Sequence, residues 1–328
     1  MSMDKVPKKP RPKPRALTST EEKILSAFGE LFPFGTANDI SHLLHKTLPY
    51  VRNIMTGLAG GADDYQSYLY WFGMPNAPGN FERIYTLGRQ GREYLRELGI
   101  DVYWRYRPQQ ASPYSFSFLK HHLSVTQCLV ALHLFVRHCP EYRLGETRTG
   151  FALASHPPRL TLVTDGQETT VTVIPDIWVH LIRAQKDPSK IQEFGLWIEI
   201  DCGTEAKAKF QQLVRERINL IRYKGYEAYF GIPSVLLCYL AVGTTMASRL
   251  GRLHTMRQWT AEVLTEQNLA DWAAVFRFST IDEGIYNTLM HWTDPVWYMP
   301  DSDTLVPLFP TPQEQEETHG HSTTTPHC

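Results

Sequence analysis

One stretch of the chain leaves little choice of architecture. Residues 235–242 read Val-Leu-Leu-Cys-Tyr-Leu-Ala-Val, with no charge and no polar alternation. A strand with one solvated face alternates apolar and polar side chains, whereas an unbroken apolar run is typical of a strand buried on both faces. Both faces must then be covered, which makes the second part of the chain an α/β sheet layered with helices. The neighbouring patterns agree. Residues 194–200 read as a strand, and 204–222 carry Phe210, Leu213, Val214, Ile218 and Ile221 on one helical stripe. Residues 260–274 read as a helix and 275–278 as a short strand. Upstream, 160–163 and 170–181 read as a hairpin about Asp165-Gly166, and 114–138 as an amphipathic helix with Leu119, Leu123, Leu129, Leu132 and Phe135.

The first part of the chain has a different rhythm. Thr18, Ser19 and Thr20 offer N-caps, Glu21 and Glu22 suit a first helical turn, and Ile24, Leu25, Phe28, Leu31 and Phe32 follow at helical spacing. Pro33-Phe34-Gly35 ends that helix. Thr36 caps a second with Ile40, Leu43 and Leu44. Thr47 caps a third, where Leu48, Val51, Ile54, Met55 and Leu58 form one stripe up to Gly60-Gly61. An aromatic run over 65–72 and a second run over 81–85 read as two strands about the turn GMPNAPGN, and Thr86 opens a closing helix. Three short helices, a hairpin and a closing helix predict a winged helix-turn-helix, with the third helix as recognition helix and the hairpin as wing. On that third helix Tyr50, Arg52, Asn53 and Thr56 lie off the apolar stripe. Arg and Asn are the residue types that read guanine and adenine edges. Arg83 on the wing, with Arg89 and Arg92 beyond it, would meet phosphates. A solvated helix face explains each of these residues singly equally well.

Composition closes other routes. Of 328 residues 42% are apolar and 20% charged, which favours a packed core over disorder. No run of about 18 apolar residues predicts a membrane span, and the first residues lack the apolar stretch of a secretory signal. The five cysteines form no CxxC pair, which argues against a disulfide framework or Cys-rich zinc site and fits a cytoplasmic location. Net charge is −1, so overall charge predicts no nucleic-acid partner. Residues 1–15, however, hold six Lys or Arg against Asp4 and four prolines. They read as a solvated tail or as an arm on phosphates. The organisation expected is a basic tail over 1–16, the winged helix over 17–107, a linker over 108–113, the sheet domain over 114–309 and a polar tail over 310–328.

The chemistry gathers on two pieces, Ile174-Pro175-Asp176-Ile177 and Trp197-Ile198-Glu199-Ile200-Asp201. Side chains alternate along a strand, so Glu199 and Asp201 share one face. Buried acids need a counter-charge, either a divalent cation or a basic side chain. If Asp176 lies on the neighbouring strand, three carboxylates converge. Such a set suits Mg²⁺ or Mn²⁺, with Asp176, Glu199 and Asp201 both as metal ligands and as catalytic groups. The competing reading pairs Asp176 with an Arg and spends Asp201 or Thr204 on capping the following helix. His121 and His122 point about 100° apart on a helix and cannot easily share an ion. His122 reads as a core histidine, and Glu146 as a surface residue before the hairpin. The His319, His321 and His327 set on the polar tail makes a poor metal site. There is no phosphate loop, no GxGxxG and no GxSxG.

The order of these pieces resembles the replication-relaxation family. The matching residues are Leu17-Thr18 with Glu21 and Ile24-Leu25, then Tyr85-Thr86-Leu87-Gly88-Arg89-Gln90-Gly91-Arg92, His122-Leu123-Ser124-Val125, Pro175-Asp176, and Trp197-Ile198-Glu199-Ile200-Asp201-Cys202-Gly203-Thr204-Glu205. The resemblance spans residues 17–300 or so, and the Glu-Ile-Asp-x-Gly-Thr run is its most specific part. It implies a winged helix followed by a domain related to the PD-(D/E)xK nucleases, a restriction-endonuclease-like mixed sheet flanked by helices. It implies duplex DNA as partner, a role in replication or mobilisation of plasmid-like DNA, and replication or mobilisation proteins as further partners. Two departures stand out. A PD-(D/E)xK nuclease places Lys where this chain has Asp201. The basic residue expected on the next helix is Arg217, followed by Ile218, where the family pattern has Lys and Tyr. Lys207, Lys209 and Arg217 are the cations that the next helix offers to the site. Two functions stay open from sequence: a Mg²⁺-dependent nuclease or nicking protein, and a non-catalytic regulator whose second domain serves assembly.

Overall fold

Two capping boxes set the N-terminal helices. Thr18 accepts from the Glu21 amide at 3.3 Å while the Glu21 carboxylate accepts from the Thr18 amide at 2.8 Å. Thr36 and Asp39 repeat the exchange at 3.2 and 2.7 Å. In a computed structural model, which describes residues 16–60, 66–73, 83–102, 115–164, 167–184, 191–281 and 292–309, these caps open α1 (Ser19–Ser26) and α2 (Ala37–Leu44). A π turn over Ala27–Leu31 continues α1. Next come α3 (Leu48–Ala59), the antiparallel pair β1 (Leu69–Phe72) and β2 (Ile84–Leu87), and α4 (Arg89–Glu97). The closing helix begins after Gly88, because Thr86 still pairs with Tyr70 in the hairpin. The basic tail, the segment 108–113, the Asp165-Gly166 turn, residues 74–80 of the wing and the C-terminal tail lie outside the described residues.

The second part opens with α5 (Phe116–His138), capped by Ser115. Seven strands then build one mixed sheet in the order β11-β10-β9-β8-β7-β6-β3. They are β3 (Tyr142–Thr149), β6 (Ile177–Ala184), β7 (Ile191–Asp201), β8 (Val235–Val242), β9 (Phe276–Ile281), β10 (Trp297–Met299) and β11 (Ser302–Val306). The strands β7, β8 and β9 run parallel. The crossovers between them carry α7 (Lys207–Arg222), α8 (Gly225–Phe230) and α9 (Met246–Glu266). A short α6 (Gly150–Ser155) and a separate hairpin of β4 (Arg159–Thr164) and β5 (Gln167–Thr172) sit between β3 and β6. The fold is mixed α/β, as the sequence predicts.

Two further expectations change in detail, and three strands were not expected. The run 170–181 is two strands: β5 stops at Thr172, and Pro175, which has no N–H to give a ladder, stands at the corner before β6. The helix expected over 260–274 starts much earlier, at Met246, and ends at Glu266 before a 3₁₀ turn over Ala270–Val275. Strands β3, β10 and β11 are short or mostly polar and gave no alternation to read.

The run 235–242 is β8, central in the sheet, and both of its faces are packed. Cys238, Leu240 and Val242 join Leu196, Ile198, Val179 and Leu181 against Val125, Leu129 and Phe135 of α5. That layer is continuous with the core of the N-terminal helices, including Phe28, Ile40 and Met55. On the other face Leu237, Tyr239, Trp197 and Trp178 pack with Phe210 and Ile218 of α7 and Met256 of α9. The N-terminal helices are tied to α5 by two polar contacts, the first of them buried. Thr126 Oγ1 donates to the Phe34 carbonyl at 2.6 Å, and Arg137 donates to the Leu43 carbonyl at 2.8 Å.

Candidate functional site

Alternation along β7 decides where its acids go. Leu196, Ile198 and Ile200 face α5, so Trp197, Glu199 and Asp201 face α7 and α9. Next to them, β6 pairs with β7 so that Ile177 lies opposite Ile198. This brings Asp176, at the head of β6, beside the end of β7, where its Oδ2 accepts from the Ile200 amide at 2.7 Å. Asp176, Glu199 and Asp201 therefore line one cleft of about 430 Å³, together with His121 of α5 and Lys209 and Arg217 of α7.

Each acid already has its counter-charge. Glu199 Oε1 accepts from Arg217 Nε at 2.8 Å and Nη2 at 2.5 Å, and from the Trp197 indole at 2.6 Å. Asp201 is gripped in a bidentate fork by Arg252 of α9, Nε to Oδ1 and Nη2 to Oδ2, both at 2.7 Å. Its Oδ1 also accepts from the Gly203 amide at 2.6 Å. Asp176 Oδ1 lies 3.0 Å from His121 Nε2. Burial pulls the His121 imidazole down, but hydrogen bonds with Asp176 and Cys202 and the Asp176 charge lift it to about 10. His121 is thus an imidazolium at neutral pH. Burial and the His121 charge push His122 down to about 4, and its ring packs among Phe34, Phe118 and Phe151 as a neutral core histidine. Burial pushes the Glu199 carboxyl upward, against the pull of the Arg217 charge. For Arg217, burial works downward and the Glu199 charge more than offsets it.

This arrangement does not fit a divalent ion. Mg²⁺ demands several oxygen ligands in near-octahedral array. Both Asp201 oxygens hold Arg252, both Asp176 oxygens are hydrogen-bonded, and the Glu199 charge is met by Arg217. Among the described residues no group of three or more His, Cys, Asp and Glu side chains is disposed to hold a metal. The convergence expected of the three carboxylates is present, but guanidinium groups stand where the cation was expected.

Of the cations expected nearby, Arg217 is inside and Lys209 lines the cleft, held by Glu205 at 3.1 Å. Lys207 points elsewhere, to Glu262 at 2.7 Å, because its helical position turns it toward α9. Glu146 lies exposed on β3 and pairs with Arg148. Arg252 and the role of His121 are absent from the sequence reading. The first half of α9 has no apolar stripe to betray it, since Met246 and Leu250 are exposed. The available signal was a Thr245/Ser248 capping box, formed at 3.1 and 3.2 Å, which marks the helix start.

The second candidate surface is α3. Val51, Met55 and Leu58 are buried, while Tyr50, Arg52, Asn53 and Thr56 are all exposed. On β2's approach, the Arg83 guanidinium lies over the Trp71 ring at 4.2 Å. Arg89 pairs with Glu93 at 2.8 Å. Arg92 is buried and donates to the Leu87 carbonyl at 3.1 Å, so it is a structural residue and not a phosphate contact.

Among the described residues no helix is long and apolar enough to cross a membrane, and Cys128, Cys139, Cys202 and Cys238 are free thiols. No curated protein and no protein of solved structure matches the chain. The family comparison does: the replication-relaxation family matches residues 35–234, from the head of α2 to the start of β8. That stretch is more than half of the chain and includes α3, Asp176, Glu199 and Asp201, and on it the chain belongs to the replication-relaxation family.

Proposed function

We propose that the protein binds duplex DNA in the replication or mobilisation of plasmid-like DNA, and that it does so without cutting. In this reading residues 17–107 are a winged helix-turn-helix, α3 enters the major groove, and the β1–β2 hairpin is the wing. The sheet is a restriction-endonuclease-like scaffold that serves assembly with replication or mobilisation proteins. Family membership supports the process. The observation that carries the binding mode is the split of α3, whose apolar stripe packs on the core, with Val51, Met55 and Leu58 buried, while Tyr50, Arg52, Asn53 and Thr56 stand together in solvent. Arg and Asn there can make bidentate contacts to base edges. Arg83 and Arg89 are placed on the hairpin and the following helix, where a winged helix meets phosphates.

One observation favours the nuclease reading: Asp176, Glu199 and Asp201 do line a single cleft. Their arginine partners, and an Asp at the position that would hold a water-orienting Lys, weigh against it. The test is a gel shift with supercoiled and linear plasmid at fixed salt, scored together with nicking in the presence of Mg²⁺ or Mn²⁺. We expect a shift whose log K falls by about 0.9 per phosphate contact for each unit of log salt. The paired substitution Arg52→Ala, Asn53→Ala should weaken the shift while leaving stability within about 0.5 kcal/mol, as for exposed positions generally. Unchanged affinity in that variant would sink the α3 assignment, and nicking that depends on Glu199 would reverse the choice between the two readings.

A further inference from the structure

The cleft beneath β7 is balanced by built-in charge to an unusual degree. Asp201 and Arg252 are both largely buried, with side chains 7% and 13% exposed, and Glu199 and Arg217 are 15% and 5% exposed. Neither guanidinium is held by its acid alone. Arg217 Nη1 donates to the Leu213 carbonyl at 3.0 Å on its own helix. Arg252 Nη2 also donates to the Glu205 carbonyl at 3.3 Å, and its guanidinium lies 5.0 Å from the Trp259 ring centre. The two forks are therefore fixed from behind, on two different helices: Arg217 lines the cleft beside Glu199, and Arg252 meets Asp201 from α9. Asp176 is met by His121 and a backbone amide. Three carboxylates face three cationic partners, so no charge is left over to draw a divalent ion out of water. For an ion to enter, a guanidinium would have to give up its carboxylate while still buried, and an unpaired buried charge is strongly disfavoured.

We propose that Arg217 and Arg252 replace a divalent cation in this site. The wild-type protein is then indifferent to metal, and the carboxylates become a cation site only when a guanidinium is taken away. The proposal stands independently of whether α3 binds DNA.

The test uses the full chain, melted in EDTA, in millimolar Mg²⁺ and in millimolar Mn²⁺, with Mn²⁺ binding followed by water-proton relaxation. Binding is compared with that of Asp201→Asn, which subtracts Mn²⁺ held elsewhere on the chain. For wild type the expected result is one Tm in all three conditions and no Mn²⁺ binding beyond that of Asp201→Asn. Arg252→Gln leaves Asp201 without its counter-charge. It should melt several degrees below wild type in EDTA, recover part of that loss in Mn²⁺ by mass action, and lose the recovery when Asp201→Asn is added. Should Arg252→Gln fail to fold, Arg217→Gln carries the same expectation for Glu199, and Arg252→Lys, which keeps the charge but not the fork, should fold and stay indifferent to metal. A wild-type Tm that rises with Mg²⁺ or Mn²⁺ would overturn the proposal. So would a folded Arg252→Gln protein that ignores Mn²⁺.

Discussion

The adjacent pair His121 and His122 shows how far position decides the chemistry of one residue type. Both sit on α5 and both are mostly shielded from water, yet one is held charged and the other neutral. His121 has Asp176 within 3.0 Å, whereas His122 has aromatic rings and the His121 charge for neighbours. The sign of the stability effect follows. For His121 the folded pKa, about 10, lies above the unfolded value of 6.5. Its contribution is fully present below pH 6.5 and drains away as pH rises toward 10. His122 works in the opposite sense, with its folded pKa of about 4 lowered, so its effect lies on the acid side between 4 and 6.5. Replacing His121 by Gln should therefore cost most near and below pH 6.5, and the gap in Tm from wild type should narrow steadily up to pH 10. Denaturation of both proteins across that range measures it. A gap that stays constant with pH would mean that the Asp176 contact is not an ion pair.

At the scale of elements, the capping boxes are the most direct line from sequence to structure. Thr36 and Asp39 each satisfy the other's amide. Thr36→Ala removes one half of that exchange and should cost about 0.5–2 kcal/mol, the usual range for a lost N-cap, read as a lower midpoint in urea with unchanged slope. The same kind of signal made α1 and α2 legible in the sequence; Thr47 does stand at the N-cap of α3, but its side chain makes no capping hydrogen bond there. The stripe on α3 and the strand at 235–242 were legible because they carry strong periodicity or none at all. Failures came where tertiary contacts, and not local pattern, decide. The closing helix waits for Gly88 because β2 needs Thr86 for pairing. The first half of α9 was invisible because its polar side does the important work, presenting Arg252 to Asp201. Of the cleft, the shared face of Glu199 and Asp201 and the nearness of Asp176 could be read. The guanidinium partner on a helix about fifty residues away could not, because a sequence shows that an acid needs a counter-charge without showing which one meets it.

At the scale of the whole molecule, the question is whether the N-terminal helices and the sheet fold as one. The buried layer on the α5 side runs without a break from Phe28 and Met55 through Val125, Leu129 and Phe135 to Ile177, Leu196 and Leu240. The helix α5 is the shared wall, holding the N-terminal unit through Thr126 and Arg137 and the sheet through its apolar face. Phe135 is fully buried and packs against Tyr142 of β3 and Trp292. Its truncation to Ala removes contacts on the sheet side of that wall and should cost about 3–5 kcal/mol, as for other buried aromatics. If α5 couples the two parts, the loss is felt equally on both. Amide exchange in rising urea should then show residues 19–59 and the strands β6 to β8 losing protection at one midpoint in wild type, and at one lower midpoint in Phe135→Ala. Separate midpoints, with the N-terminal helices unaffected by the substitution, would show two units that merely touch. In that case a change in the cleft could not be transmitted to α3 through the core. A single shared midpoint would instead show that α5, which carries His121 at the cleft and Thr126 at the N-terminal helices, joins the two parts into one cooperative unit.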